Sequence, residues 1–185
     1  PDNMEALTYV VAAAVTGGEI EISNFPFKHL EIPLIYLRES GLKYFGSIDN
    51  NKILVKPSEI YPFEIATGPY PSLNSDMQPL FAVYGLKAKA ESRIIDLRFP
   101  GRYQYTKELE KLGGKFDIQG DLLKIKGGNK LVGATVDAID LRAGIALFLA
   151  GLISEGQTTI SSFSQIERGY DKLIEKMKSV GANII

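Results

Sequence analysis

The chain has 185 residues, 45% hydrophobic and 23% charged, which is enough to bury a substantial core in one domain. Its 21 basic and 22 acidic residues give a net charge of −1, which argues against nucleic acid or an anionic membrane as a partner. It has no cysteine and one histidine, which excludes disulfides, thiolate or histidine-cluster metal sites, and a cysteine nucleophile within this chain. No apolar run reaches the roughly 18 residues of a membrane span.

The first predicted element belongs to an internal repeat. Segments starting at Asp2, Asp76 and Asp140 align without gaps over 24 residues, and each ends in phenylalanine 23 positions after its aspartate. They read "DNMEALTYVVAAAVTGGEIEISNF", "DMQPLFAVYGLKAKAESRIIDLRF" and "DLRAGIALFLAGLISEGQTTISSF". Each predicts an apolar helix followed by a strand. Matches of this length at three places indicate a real repeat.

Each copy continues with an amphipathic helix and further strands. Apolar residues at helical spacing predict the helices over 26–40, 102–112 and 166–180. Alternating or apolar runs predict strands at 42–45, 52–56, 63–67, 115–118, 122–126, 134–138 and 182–185. The repeat is therefore a βαβαββ unit, present at about 1–56, 63–126 and 134–185.

Two of the three units are incomplete in this sequence. The first lacks its leading strand, since the sequence starts at Pro1, and the third lacks its final strand. We therefore expect residues 1–185 to be one excised or truncated domain whose missing strands come from another part of a longer polypeptide.

The apolar helices predict an inside-out α/β domain. Residues 143–153 have no charged side chain, so that helix must be buried on every side, and three such helices would fill the centre. Helix N-termini then collect at one end, where their dipoles and nearby cations suit phosphate or carboxylate. The charged residues expected there are Asp2, Lys28, Asp76, Arg102, Asp140, Arg142 and Arg168.

Structural roles compete with this interpretation. The three aspartates are equally explained as helix N-caps, and Arg102 and Arg168 as solvated surface residues. Arg142 is different, because an arginine in a first helical turn opposes the dipole and needs a counter-charge or a ligand. His29 lies on a charged amphipathic helix and is expected at the surface.

Four motifs carry a family resemblance that covers essentially the whole chain. They are "TGPYPSLNSDMQ", "GRYQYTKELEKLGG", "DAIDLRAGIALFLAGLISEG" and "IERGYDKLIEKMKSVGANI". This succession resembles the second half of the UDP-N-acetylglucosamine enolpyruvyl transferases, also called UDP-N-acetylglucosamine 1-carboxyvinyltransferases. The resemblance implies one lobe of a two-lobe α/β fold, each lobe made of three repeated units with helices inside.

The resemblance also implies a reaction. Enolpyruvate passes from phosphoenolpyruvate to the 3-hydroxyl of UDP-N-acetylglucosamine, and phosphate leaves; this is the first step of peptidoglycan precursor synthesis. It implies a cytoplasmic enzyme with no metal and no cofactor. Its partners would be the two substrates and the other lobe of the same polypeptide.

Site residues follow from the resemblance motif by motif. Asp76 in "NSDMQ" matches the aspartate that handles the acceptor hydroxyl and the enolpyruvyl proton. Asp140 in "DLR" matches an aspartate that assists the addition and elimination. The matches to substrate-binding residues are Ser75, Arg102, Leu141, Arg142 and Arg168, the arginines serving the carboxylate and phosphate or the cleft.

Departures from the family pattern leave the acceptor open. Family members commonly have Phe-Pro-Thr before the catalytic aspartate, where this chain has Leu73, Asn74 and Ser75. They usually have Glu-Asn before the cleft arginine, where this chain has Pro100 and Gly101, and an arginine is common where Asn3 stands. These changes lie on the sugar-nucleotide side. Alternatives are a lobe of a 5-enolpyruvylshikimate-3-phosphate synthase, a lobe of an enolpyruvyl transferase with another acceptor, and a non-catalytic binding or scaffold domain.

Overall fold

The first unit forms a three-stranded antiparallel sheet with one buried and one outer helix. A computed structural model describes residues 2–185. The elements are α1 (Asn3–Thr16), β1 (Ile20–Ser23), α2 (Phe27–Glu39), β2 (Lys43–Ser47) and β3 (Lys52–Lys56). The sheet has the order β1-β3-β2, with both pairs antiparallel.

The second unit contains every element of the predicted βαβαββ pattern. These elements are β4 (Glu64–Thr67), α3 (Gln78–Leu86), β5 (Ser92–Asp96), α4 (Tyr105–Lys111), β6 (Lys115–Gln119) and β7 (Leu122–Lys126). A 3-10 turn, Ser75–Met77, precedes the buried helix α3. The four-stranded sheet has the order β4-β5-β7-β6, with β4 and β5 parallel and the other pairs antiparallel.

The third unit has a two-stranded parallel sheet beside a buried helix. Its elements are β8 (Thr135–Asp137), α5 (Leu141–Leu152), β9 (Thr159–Ser161), α6 (Ser164–Glu167) and α7 (Leu173–Ser179). Within residues 2–185, no helix has both the length and the apolar character that crossing a membrane requires.

The three apolar helices form the centre of the domain, as predicted. Helices α1, α3 and α5 contact one another, and the sheets and the shorter helices pack around them. In α3 every residue from Gln78 to Leu86 is buried, and in α5 every residue from 143 to 150 is buried. The apolar composition of these helices therefore decides the inside-out α/β arrangement, and the predicted fold class is confirmed.

Two predictions for the third unit are wrong. The predicted helix over 166–180 is divided into α6 and α7, and Lys172 between them has a left-handed φ of 49°. The interruption turns the buried Tyr170 towards α1, where its hydroxyl meets Thr8 Oγ1 at 2.9 Å. Residues 182–185 form no strand, because within residues 2–185 no strand runs beside them to supply ladder hydrogen bonds.

Candidate active site

Two arginines from different units flank the carboxylate of Asp76. Asp76 Oδ1 accepts a hydrogen bond from Arg102 Nη1 at 3.0 Å, and Asp76 Oδ2 lies 3.3 Å from Arg142 Nε. Arg102 precedes α4 in the second unit, and Arg142 lies in the first turn of α5 in the third unit. Because each guanidinium has five N–H donors, these contacts leave further donors for an anionic ligand.

Arg142 has the counter-charge that its position on α5 demands. A cation in a first helical turn opposes the helix dipole, so it is tolerated where an anion compensates it. Asp76 is that anion, and the Arg142 side chain is 21% exposed in this setting. The expectation that Arg142 needs a counter-charge or a ligand is confirmed.

Asp76 differs from the aspartates with which it aligns. Asp2 Oδ1 accepts hydrogen bonds from the amides of Met4 and Glu5 at 2.7 and 3.0 Å, and so caps α1. Asp140 Oδ1 caps α5 in the same way, through the amides of the second and third residues after it, at 2.7 and 2.8 Å. The Asp76 carboxylate instead faces the two arginines. The N-cap interpretation is therefore confirmed for Asp2 and Asp140 but is wrong for Asp76.

Neither of the amides that Asp76 could cap is available to it. An N-cap at this position would accept from the amides two or three residues ahead, but the Gln78 amide donates to the Ser75 carbonyl and Pro79 has no N–H. The capping role moves back to Asn74, whose Oδ1 accepts from the Asp76 amide at 2.9 Å. The Asp76 side chain is thereby available for the arginines.

The "DLR" and "ERGY" motifs meet through Leu141 and Gly169. A β-carbon on Gly169 would lie 2.6 Å from Leu141 Cδ2, so the Leu141 side chain rests directly on this glycine. Tyr170 of the second motif also lies close enough to Arg142 of the first for the two to interact. Burial raises the pKa of Tyr170, while the hydrogen bond with the Thr8 hydroxyl and the positive charge of Arg142 act to lower it. The two motifs are thus neighbours in space.

Arg168 and Ser75 have partners outside the Asp76 group. Arg168 is exposed, and its Nη1 donates to Gln165 Oε1 at 3.1 Å. Ser75 is buried, and its hydroxyl donates to the carboxylate of Asp96. Contact of Arg168 with a substrate stays a prediction. So does contact of Ser75, and it would have to use the backbone, since the hydroxyl is engaged.

A cleft of about 430 Å³ opens beside Asp76. Its lining includes three basic side chains and one carboxylate, a balance that suits an anionic ligand. Aromatic rings of Tyr70 and Phe99 share its wall. The lining residues that matter here are His29, Tyr70, Asp76, Arg98, Phe99 and Arg102.

A larger concavity of about 520 Å³ lies elsewhere, around the C-terminal end of α5, and no charged side chain lines it. Within residues 2–185, no three His, Asp or Glu side chains come together as a metal ion would need. The smaller cleft is therefore the candidate site, because it holds the groups able to bind anions and move protons.

Sequence reasoning missed part of this cleft. The guanidinium carbons of Arg98 and Arg102 lie 5.7 and 5.5 Å from the centre of the Phe99 ring, which is 47% exposed. The spacing Arg-Phe-x-x-Arg in "LRFPGRY" is the signal that could have indicated it. His29, expected at the surface, is exposed as predicted but lines the cleft.

Comparison with known proteins gives a consistent result. The EPSP synthase (3-phosphoshikimate 1-carboxyvinyltransferase) family matches residues 1–177. UDP-N-acetylglucosamine 1-carboxyvinyltransferase 2 of Listeria monocytogenes is 40% identical over 185 residues, which is 100% of this chain and 43% of that protein. The UDP-N-acetylglucosamine 1-carboxyvinyltransferase of Finegoldia magna is 35% identical over 100% of this chain and 44% of its own length. The chain thus spans less than half the length of these relatives.

Solved structures show the same architecture. The enolpyruvyl transferase NikO from Streptomyces tendae superposes with a TM-score of 0.88 at 25% identity, covering 99% of this chain and 43% of that one. EPSP synthase from Acinetobacter baumannii superposes with a TM-score of 0.68 at 18% identity, covering 92% of this chain and 43% of that one. The second likeness shows the fold alone.

Proposed function

The chain belongs to the EPSP synthase (3-phosphoshikimate 1-carboxyvinyltransferase) family, and from this premise we propose that it is one lobe of a UDP-N-acetylglucosamine 1-carboxyvinyltransferase. The relatives with that name at 35–40% identity over the chain support this acceptor. The observation that carries the proposal is the Asp76 carboxylate held between Arg102 and Arg142 beside the cleft.

The proposed chemistry is addition followed by elimination. The 3-hydroxyl oxygen of the acceptor bonds to C2 of phosphoenolpyruvate, the hydroxyl loses its proton, and C3 gains one. In the second step C3 loses a proton, the C2–O bond to phosphate breaks, and phosphate leaves. Asp76 is the group proposed to accept and return protons, since a carboxylate within hydrogen-bond reach of the reacting atoms is suited to this.

The arginines are proposed to hold the donor substrate. Guanidinium groups recognise carboxylate and phosphate through paired N–H donors, so Arg102 and Arg142 are suited to the two anionic ends of phosphoenolpyruvate. Arg168 joins them in this proposal through the contact between Leu141 and Gly169, which brings its motif beside Arg142. Leu141 and Ser75 are proposed to border the substrates, and Asp140 to assist the proton transfers.

The proposed activity places the protein in peptidoglycan precursor synthesis. The product would be enolpyruvyl UDP-N-acetylglucosamine, so the enzyme would act in the cytoplasm and serve cell-wall growth, cell shape, the cell cycle and cell division. The other lobe of the same polypeptide would close the cleft and supply its remaining ligands.

A second acceptor is the main competing proposal. Asn3, at the edge of the cleft, stands where family members commonly have arginine, and Pro100 and Gly101 stand where they commonly have Glu-Asn. Arg98 adds a cation to the same wall. These features favour an enolpyruvyl transferase whose acceptor differs from UDP-N-acetylglucosamine, with the same donor chemistry.

Phosphate release tests both proposals. The natural polypeptide that carries this chain is incubated with phosphoenolpyruvate and, in separate reactions, UDP-N-acetylglucosamine, shikimate 3-phosphate or no acceptor. We expect release that depends on UDP-N-acetylglucosamine. Release with shikimate 3-phosphate alone would reassign the chain to the sister enzyme. Binding of phosphoenolpyruvate without turnover on either acceptor would exclude both of these substrates and would favour an enolpyruvyl transferase with another acceptor or a binding domain.

A further inference from the structure

One buried carboxylate holds the segments that form the cleft wall. Asp96 ends β5, is fully buried, and lies opposite Thr67 in the parallel pair of β4 and β5. Its Oδ1 accepts hydrogen bonds from Thr67 Oγ1 at 2.7 Å and from the amides of Arg98 and Phe99 at 3.0 and 2.9 Å. Its Oδ2 accepts from the hydroxyl of Ser75. All four donors belong to the chain, so the carboxylate serves the protein rather than a ligand.

Asp96 is hydrogen-bonded to chain neighbours of both Asp76 and Arg102, the two residues that form an ion pair at the cleft. Ser75 directly precedes Asp76 in the same 3-10 turn. The Asp96 amide donates at 3.0 Å to the hydroxyl of Tyr103, which directly follows Arg102. Asp96 is therefore tied to a chain neighbour of Asp76 and to a chain neighbour of Arg102, whose side chains meet at 3.0 Å.

We propose that Asp96 is a positioning residue that fixes Asp76 relative to Arg102, acting on Asp76 through the Ser75 hydroxyl. The proposal deepens the proposed function and rests on it, since Asp76 matters as the proton-transfer group. Asp96 itself is buried and lines no part of the cleft. Displacing a reacting group by about 1 Å can cost on the order of 100-fold in rate, so the support behind Asp76 bears directly on turnover.

The ionisation of Asp96 is consistent with this role. Burial alone would raise the pKa of Asp96, but the hydrogen bonds from Ser75, the Phe99 amide, Thr67 and the Arg98 amide together hold the pKa below its usual value. Asp96 is therefore a carboxylate at neutral pH and accepts from all four donors at once.

Two variants, each lacking one of the hydroxyls that donate to the Asp96 carboxylate, separate an effect on the position of Asp76 from an effect on the stability of the fold. Ser75→Ala removes the bond that leads to Asp76, and Thr67→Val removes a bond to the same carboxylate that leads to β4 instead. Both residues are buried, and each loses one hydroxyl donor. The variants are made in the natural polypeptide that carries this chain. Asp96→Ala is made as well, but it leaves four donors unpaired and can fail to fold, so the matched pair decides.

We expect the two variants to differ in kcat but not in stability. We expect both variants to lower Tm by similar amounts. Ser75→Ala should lower kcat by roughly 10–100-fold while changing the KM for phosphoenolpyruvate by less than about threefold. Thr67→Val should keep kcat within about twofold of the parent. Equal kcat values for the two variants would overturn the proposal.

Amide hydrogen exchange decides the proposal without turnover. We expect Ser75→Ala to speed exchange in peptides covering 73–78, and Thr67→Val to leave those peptides unchanged. If the parent protein releases no phosphate with any acceptor, the proposed function fails while this comparison still tests Asp96. Unchanged exchange over 73–78 in Ser75→Ala would show that Asp96 does not hold this turn.

Discussion

At the scale of single residues, three aspartates that look alike in sequence have two different environments. Asp2 and Asp140 are N-caps whose Oδ1 atoms are engaged by helix amides. The carboxylate of Asp76 is paired with Arg102 and Arg142, while Asn74 caps the 3-10 turn. This difference yields a prediction in which the three residues serve as controls for one another.

We expect Asp76→Asn to lower the turnover of the natural polypeptide by at least roughly 100-fold, because asparagine keeps the volume but removes the base. Asp2→Asn should be nearly silent, since asparagine caps about as well as aspartate. Asp140→Asn should fall between them, because it changes the charge beside Arg142. Turnover and Tm for the three variants check this. Three small and equal effects would make Asp76 a structural residue.

A second prediction concerns the arginines. Arg142→Ala and Arg168→Ala should each weaken phosphoenolpyruvate binding by roughly 1.5–3 kcal/mol, the usual contribution of a hydrogen bond to a charged group. Calorimetric titration and thermal melts on the natural polypeptide measure both effects. Arg93→Ala is the matched control, because Arg93 pairs with Glu64 and Glu91 on the outer side of β5. Affinity equal to that of the control would contradict the binding role.

At the scale of elements, the buried helix α5 packs against its neighbours so closely at Gly144 that there is no room for a side chain. A β-carbon on Gly144 in α5 would lie 2.5 Å from Ile166 Cγ1 and 3.1 Å from the β-carbon of Ala138. Ile166 in α6 and Ala138 after β8 are both buried. The glycine therefore lets α6 pack against α5 just after the turn that carries Arg142.

We expect Gly144→Ala to destabilise the protein, although alanine is the better helix former by about 1 kcal/mol. Overpacking of a buried contact costs about 1–3 kcal/mol, which exceeds or matches that gain. Gly151→Ala in the same helix is the control, because the nearest atoms to its new β-carbon lie 3.3 Å away, on Thr158. Thermal melts should show a lower Tm for Gly144→Ala than for Gly151→Ala. The reverse order would mean that Ile166 moves aside easily.

At the scale of the whole molecule, the chain is less than half as long as the relatives that carry the proposed name, since it covers 43% and 44% of two of them. The three units share one core through α1, α3 and α5. Folding and turnover are therefore expected to separate.

We expect residues 1–185 expressed alone to fold cooperatively but not to turn over, because in the proposed function a second lobe supplies the remaining groups of the site. Circular dichroism with thermal melting tests the folding, and phosphate release from phosphoenolpyruvate and UDP-N-acetylglucosamine tests the activity. The natural polypeptide is the positive control. Phosphate release by the isolated chain at an enzyme-like rate would contradict this prediction.

The sequence by itself determined the buried helices and the fold class. The apolar character of 143–153 leaves burial as its only stable outcome, and the gapless alignment applies that conclusion to all three helices. The need of Arg142 for a counter-charge also followed from sequence, because the helix dipole acts locally. These inferences depend on forces within one element.

Only the tertiary structure decided which charged residues meet. Asp76, Arg102 and Arg142 lie far apart in the chain, and the packing of α3 against α5 and the path of the loop before α4 bring them together. Asp96 has no sequence signal beyond an acid at the end of a strand, since its donors come from β4, the 3-10 turn and the β5–α4 loop. The break between α6 and α7 accompanies a contact between Tyr170 and Thr8, which are 162 positions apart in the chain. Contacts between distant segments are set by the whole fold, so local patterns could not predict them.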